Sequence, residues 1–196
     1  ETVKRIHDGA IGDIVSMQSM FLRGPYRVYK RPENMTETEY QFYNWYHFRW
    51  LSGDDVPQSL VHNVDRMSWI MKEATPDWAF GLGGRSSSFG VKFGDMFDHH
   101  TVVYEYPEGA RLYALCRTQG NCYNNSSDKN MGSKGTCYLN LPHPRIEGEN
   151  AWTFEDNANN PYDAEQAALI EAVRTGRPIN SGHNMAHSTR ITVLGQ

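Results

Sequence analysis

Between Val56 and Lys72, apolar residues recur every three or four positions. Val61, Val64, Met67, Ile70 and Met71 keep that interval, which predicts a helix over 56–72 with one buried stripe. The start signals agree with it. Asp55 stands where a side-chain cap belongs, Pro57 is tolerated in the first turn, and Gln58 follows Asp55 by three residues, as in a capping box. Elsewhere the period is two. Ile14–Phe21, Trp78–Ser86, Thr101–Tyr106 and Arg111–Cys116 read as strands, the last two joined through Pro107-Glu108-Gly109 into a hairpin. Shorter strands are predicted around Gly135–Asn140 and Ala151–Phe154, while the polar run Asn121–Lys129 reads as loop or weak strand. The helical period returns over Tyr162–Thr175. There Ala168, Leu169, Ala172 and Val173 predict a core-facing stripe, and Gly176 and Pro178 a stop. A helix tail over 2–8, closed by Asp8-Gly9, and a last helix from near Gly182 complete the pattern.

Helix, strand and helix, then consecutive strands, then helices again, predict an α+β domain. Its sheet is expected to be largely antiparallel, with helices on one face. A length of 196 residues suits a single domain spanning 1–196. The chain is 39% hydrophobic and 21% charged, with a net charge of −4. That balance lacks the clustered basic excess that nucleic acid requires, and no apolar run is long enough to predict a membrane span. Cys116, Cys122 and Cys137 fit neither a zinc ribbon nor a disulfide framework, and read as free thiols on strands. The opening Glu1-Thr2-Val3-Lys4-Arg5-Ile6 and the closing Ile191-Thr192-Val193-Leu194-Gly195-Gln196 both read as cuts through a longer protein. The compartment is not legible.

Candidate chemistry is sparse. Gly81-Leu82-Gly83-Gly84-Arg85 invites a dinucleotide reading, but Ser86 stands where a third glycine belongs and no helix is predicted to follow. No cofactor is therefore expected to bind through it. On the 56–72 helix, Gln58, His62, Asp65 and Trp69 share a stripe about 60° wide, at roughly 100° per residue. A polar stripe beside an apolar one suits a cleft. His62 is either a satisfied structural histidine or a general acid/base, since imidazole titrates near neutrality. Gln58 exchanges no proton, so it either caps or orients. Phe97-Asp98-His99-His100 offers a carboxylate and two imidazoles, but neighbouring strand residues face opposite ways; no metal is expected there, and a histidine facing substrate is the alternative. Tyr40–Trp50 holds seven aromatics in eleven residues, suited to stacking on sugar rings or to plugging a long loop onto the core.

Several blocks, in order, resemble one family. IHDGAIGDIVSMQ (Ile6–Gln18), NWYHFRWLSGDDVPQSLVHNVDRMSWIM (Asn44–Met71), GGR (Gly83–Arg85), FDHHTVVYEYPEGA (Phe97–Ala110), NPYDAEQAALIEAVRTGRPIN (Asn160–Asn180) and HSTRITVLGQ (His187–Gln196) are similar to the C-terminal domain of the glucose–fructose oxidoreductase, inositol dehydrogenase and rhizopine-catabolism (Gfo/Idh/MocA) family. The resemblance implies an open, predominantly antiparallel sheet with helices packed on one face. It implies an N-terminal Rossmann domain, absent from this chain, that supplies the NAD or NADP site and a catalytic lysine. It makes His62 the catalytic histidine and implies an oxidoreductase acting on a sugar or polyol, oligomeric through the sheet face. Gln58, Arg85, Asp98, His99 and Trp45 are the expected substrate-side residues. Gln58 departs from the acid usual four residues before the histidine. That departure leaves two further readings: an NAD-dependent glycoside hydrolase of the same family, or a non-catalytic carbohydrate-binding or assembly module.

Overall fold

A computed structural model of the chain describes residues 1–155 and 160–196. The elements in chain order begin with α1 (Thr2–His7), β1 (Ile14–Arg23), α2 (Glu37–Tyr43), α3 (Arg49–Ser52) and α4 (Val61–Ile70). Strands β2 (Trp78–Gly84), β3 (His99–Glu105), β4 (Arg111–Thr118), β5 (Asn125–Gly132), β6 (Gly135–Leu139), β7 (Arg145–Gly148) and β8 (Trp152–Thr153) follow. Helices α5 (Pro161–Thr175) and α6 (Gly182–Leu194) close the chain.

The strands form one sheet in the order β2-β3-β4-β1-β5-β6-β7-β8. Every neighbouring pair is antiparallel except β1 with β4. That parallel pair needs a long crossover, which the helices α2 to α4 and the β2–β3 hairpin provide. The sheet is α+β and predominantly antiparallel, as its sequence pattern predicts. Its inner face contributes Met17, Val102, Tyr104, Leu112, Ala114 and Cys116 to the core, against Ile6, Leu60, Val64, Met67 and Ile191 from the helices. Leu60, Val64 and Met67 are fully buried, each stabilising the fold by roughly 1.5–3 kcal/mol relative to exposure. On the opposite face Trp78, Phe80, Leu82 and Tyr113 remain exposed. No helix among the described residues is long and apolar enough to cross a membrane.

Three expectations differ from the structure. The helix over 56–72 is in two parts, a π-helical turn Val56–Leu60 followed by α4. Its predicted capping box does not form, because the Asp55 side chain makes no cap hydrogen bond and turns inward to Tyr26 and Ser59 instead. A capping box forms elsewhere, at Thr36 and Glu39 ahead of α2. Of the two readings of the polar run at 121–129, the strand holds from Asn125: β5 pairs with β1 over eight residue pairs, its inward Asp128 accepts from Ser19, and its inward Asn130 is buried with no side-chain partner among the described residues. The third correction is α5, predicted to face the core. None of its residues is buried, and Leu169 and Val173 lie exposed, since no described element covers that stripe. The aromatic run Tyr40–Trp50 is mostly helical, the end of α2 and the start of α3 with a 3₁₀ turn Trp45–His47 between them.

Candidate active site

α4 owes its position to its apolar side. Val64, Met67 and Ile70 are buried against the sheet, which turns His62, Asp65 and Trp69 outward. There they meet α6 across a cleft of about 660 Å³, lined among others by Val61, Arg66, Asn184 and Ser188. The polar walls are already committed. Ser188 Oγ donates to Asp65 Oδ1. Arg66 Nε donates to Asp128 Oδ2 at 2.6 Å, and the buried Asp128 also accepts from Ser19 Oγ at 2.7 Å and Asn63 Nδ2 at 2.8 Å. His62 is exposed and has no hydrogen-bond partner among the described residues; its ring centroid lies 6.2 Å from that of Phe21. Three of the four residues of the predicted stripe, His62, Asp65 and Trp69, therefore face a cleft, and His62 is the imidazole left available in it.

Gln58 does not line that cleft. It lies in the π-helical turn, where its Oε1 accepts from Ser59 Oγ at 2.6 Å. Below it is a buried polar cluster. Asp55 Oδ1 accepts from Ser59 Oγ at 2.6 Å and Tyr26 Oη at 3.1 Å, and the Tyr26 and Ser59 hydroxyls are themselves in hydrogen-bond contact. Burial, and then the Asp55 charge, push the Tyr26 phenol above its ordinary range. Burial likewise raises the Asp55 carboxyl. Tyr26 stacks on Tyr46 at 4.6 Å, and Tyr46 on Trp45 at 3.9 Å. The aromatic segment is thereby fixed to the entry of α4, with the half-exposed Trp45 at its outer end.

Arg85, Asp98 and His99 form a separate group at the end of the β2–β3 hairpin. Arg85 donates through Nε to Ser88 O at 2.7 Å and through Nη1 to Gly94 O at 3.0 Å, so its guanidinium holds the 86–94 loop. Asp98, fully buried, accepts from the backbone N–H groups of Ser86, Ser87 and Ser88 at 2.8–3.1 Å. Gln119 Nε2 at 3.0 Å and His99 Nδ1 at 2.8 Å add to the set. Burial by itself would raise this carboxyl, but the hydrogen bonds from Gln119, His99, Ser87 and Ser88 hold it well below the usual carboxylate range. His99, about 43% exposed, is the member of the group that remains open. None of Gln58, Arg85, Asp98, His99 and Trp45 lines the cleft that holds His62.

The glycine cluster does not fit a dinucleotide. Gly81–Gly84 run as β2, paired with β3 in unbroken register, and no helix follows to turn its N-terminus toward a pyrophosphate. The glycines serve packing. A Cβ on Gly83 would come within 2.8 Å of the His99 carbonyl and 2.9 Å of the His100 ring.

This fold occurs in known oxidoreductases. An aldose-aldose oxidoreductase from Caulobacter crescentus, crystallised with glycerol, superposes with a TM-score of 0.72 at 16% identity, over 97% of this chain and 55% of its own. An oxidoreductase from Thermotoga maritima gives 0.67 at 16% identity, over 98% of this chain and 52% of its own. A 3-ketoreductase from Actinomadura kijaniata, crystallised with NADP and TDP-benzene, gives 0.65 at 15% identity, over 97% and 54%. The chain thus spans about half the length of the structures it matches. No family model matches the sequence, and no curated protein does.

Proposed function

We propose that this chain is the substrate-binding, histidine-bearing domain of an NAD(P)-dependent oxidoreductase acting on a sugar or sugar-like polyol. One observation carries the reading: His62 opens onto a 660 Å³ cleft whose other ionisable side chains, Asp65 and Arg66, are already paired. Oxidising an alcohol separates a hydride from carbon and a proton from oxygen. A neutral imidazole nitrogen of His62 takes that proton, and returns it in the reverse direction. The likeness to oxidoreductases, one of them crystallised with NADP and one with glycerol, supports the reading at the level of fold.

The nicotinamide, which supplies the hydride chemistry, belongs on this reading to a nucleotide-binding domain encoded outside residues 1–196. The exposed apolar stripe of α5, with Leu169 and Val173, is a surface suited to that domain. Gln58, outside the cleft and held by Ser59, acts by positioning the entry of α4 and does not relay protons, because an amide holds none. Asp98 and Arg85 act by fixing the 86–94 loop, and His99 and Trp45, outside the His62 cleft, offer a polar edge and an aromatic face only to a carbohydrate that extends beyond it. The open sheet face, with Phe80 and Leu82, is assigned to a second copy of the protein. A non-catalytic carbohydrate-binding module is the second reading, favoured by the amide at Gln58 and the exposed aromatics.

Calorimetric titration separates this chain's share from its parent's. Residues 1–196 alone should give no binding heat with NAD or NADP, whereas the full-length parent should bind one of them. Micromolar binding to the chain alone contradicts the division proposed here.

A further inference from the structure

Beneath the π-helical turn, three side chains with metal-ligating atoms converge in the interior. Asp55, His100 and Cys116 are each no more than 6% exposed, and one donor atom from each lies within 4.8 Å of the other two. They come from three places in the fold. Asp55 precedes Val56, while His100 on β3 and Cys116 on β4 stand directly opposite each other in the ladder. Cys116 Sγ lies 3.7 Å from His100 Nδ1. Thiolate and imidazole ligands of one tetrahedral zinc, with bonds of roughly 2.3 and 2.1 Å, lie about 3.5 Å apart.

The cluster is also incomplete as it stands. Asp55 Oδ1 is satisfied by two hydroxyls, but Oδ2 is buried without a partner, and so is His100 Nε2. A fully buried carboxylate ordinarily pairs with a cation. Among the described residues no Lys or Arg pairs with Asp55, and the neighbouring Arg49 is engaged with Asp54 at 3.3 Å.

We propose that Asp55, His100 and Cys116 bind one divalent transition-metal ion, zinc by ligand class, in a closed structural site. The ligands are a carboxylate oxygen of Asp55, Nδ1 of His100 and Sγ of Cys116, the set that zinc takes from proteins. Thiolate and carboxylate together cancel the ion's two positive charges, which leaves a neutral centre in an apolar core. Binding releases the thiol proton to solvent. A water completes the tetrahedron, since the Ser59 hydroxyl is engaged with Asp55, Gln58 and Tyr26. With Nδ1 on the metal, Nε2–H of His100 faces Asp54 Oδ2 at 3.7 Å, the outer carboxylate that characteristically orients a ligating imidazole. Asp54 is itself held by the backbone N–H groups of Asp55 at 2.8 Å and Phe97 at 3.0 Å. The ion staples the β3–β4 hairpin to the entry of α4, the helix that carries His62, without lining the cleft.

The test is cobalt substitution in protein purified without chelator, then stripped of metal. One equivalent of Co²⁺ should produce a thiolate-to-cobalt charge-transfer band, which zinc then bleaches. The band should survive Cys122→Ser, whose thiol is exposed, and vanish in Cys116→Ser. Loss of Cys116 can also unfold the core, so the unmutated protein provides an independent criterion: its thermal midpoint should rise with zinc and fall with chelator. No thiolate band, with a midpoint indifferent to zinc, overturns the proposal and leaves a hydrogen-bonded Cys–His–Asp network. A band that persists in Cys116→Ser but is lost in Cys122→Ser overturns it equally.

Discussion

Ser188 on α6 donates its hydroxyl to Oδ1 of Asp65 on α4, tying together the two helices that wall the His62 cleft. Ser188 is 2% exposed and Asp65 half-buried on the cleft wall, so removing the hydroxyl costs a charge-assisted hydrogen bond. Ser188→Ala should lower stability by about 1–3 kcal/mol in urea denaturation. The same change at the exposed Thr189 should stay within about 0.5 kcal/mol. Equal effects at the two positions would show that this hydrogen bond does not hold the helices.

Asp98 makes acid a structural probe. Its carboxyl is held below the usual range in the folded state, so ionised Asp98 stabilises the fold above the unfolded-state value of about 4, and that contribution is lost as pH falls below it. Asp98→Asn should destabilise the protein at neutral pH by on the order of 3 kcal/mol. The gap between mutant and wild type should then narrow as pH is lowered to about 3. A constant gap across the titration would mean that the 86–88 loop does not depend on the charge.

The exposed row Trp78, Phe80 and Leu82 on β2, with Tyr113 on β4, is a contiguous apolar area of the kind that associates. Light scattering should find a dimer or larger oligomer. Leu82→Glu, which puts a charge at the most exposed of these positions, should shift it to monomer without lowering the thermal midpoint. A monomeric wild type contradicts the assignment of this face.

Much of this architecture is legible in the sequence, and the failures have physical causes. The alternation through β3 and β4 and the 3.6 period of α4 are visible because each has one apolar face against the core. β5 escapes that pattern because its inward residues are polar: Asp128 and Asn130 are buried, and Asp128 is satisfied by Ser19, Asn63 and Arg66, from elements distant in sequence. α5 shows the opposite failure. Its apolar stripe is plain, but the partner it calls for is not among the described residues. In the candidate site, the stripe of His62, Asp65 and Trp69 follows from helical geometry alone. The engagement of Arg85 and Asp98 with the 86–94 loop does not, because ion and hydrogen-bond partners at a loop have no period to betray them. The convergence of Asp55, His100 and Cys116 is equally invisible in one dimension.

Gln58 separates positioning from capping. With no cap to lose, since among the described residues its side chain hydrogen-bonds to Ser59 Oγ and not to a helix-end N–H, Gln58→Ala should leave stability within about 0.5 kcal/mol. It should lower kcat/KM in the parent enzyme. Gln58→Glu restores a group that exchanges protons, and should add an ionisation to the pH–rate profile. Unchanged kinetics in both variants would remove Gln58 from the site.

On the proposed reading, His62 transfers the alcohol proton. In the full-length parent, NAD(P)-linked turnover of aldoses and polyols should be measured for the wild type and His62→Ala side by side. His62→Ala should lower kcat by about 10²–10⁴-fold, the span expected for a positioned acid/base, with the thermal midpoint unchanged because the side chain is exposed and makes no hydrogen bond among the described residues. A His62→Ala enzyme that turns over at the wild-type rate, or a wild type that binds these sugars without any nicotinamide turnover, contradicts the account and favours the carbohydrate-binding module.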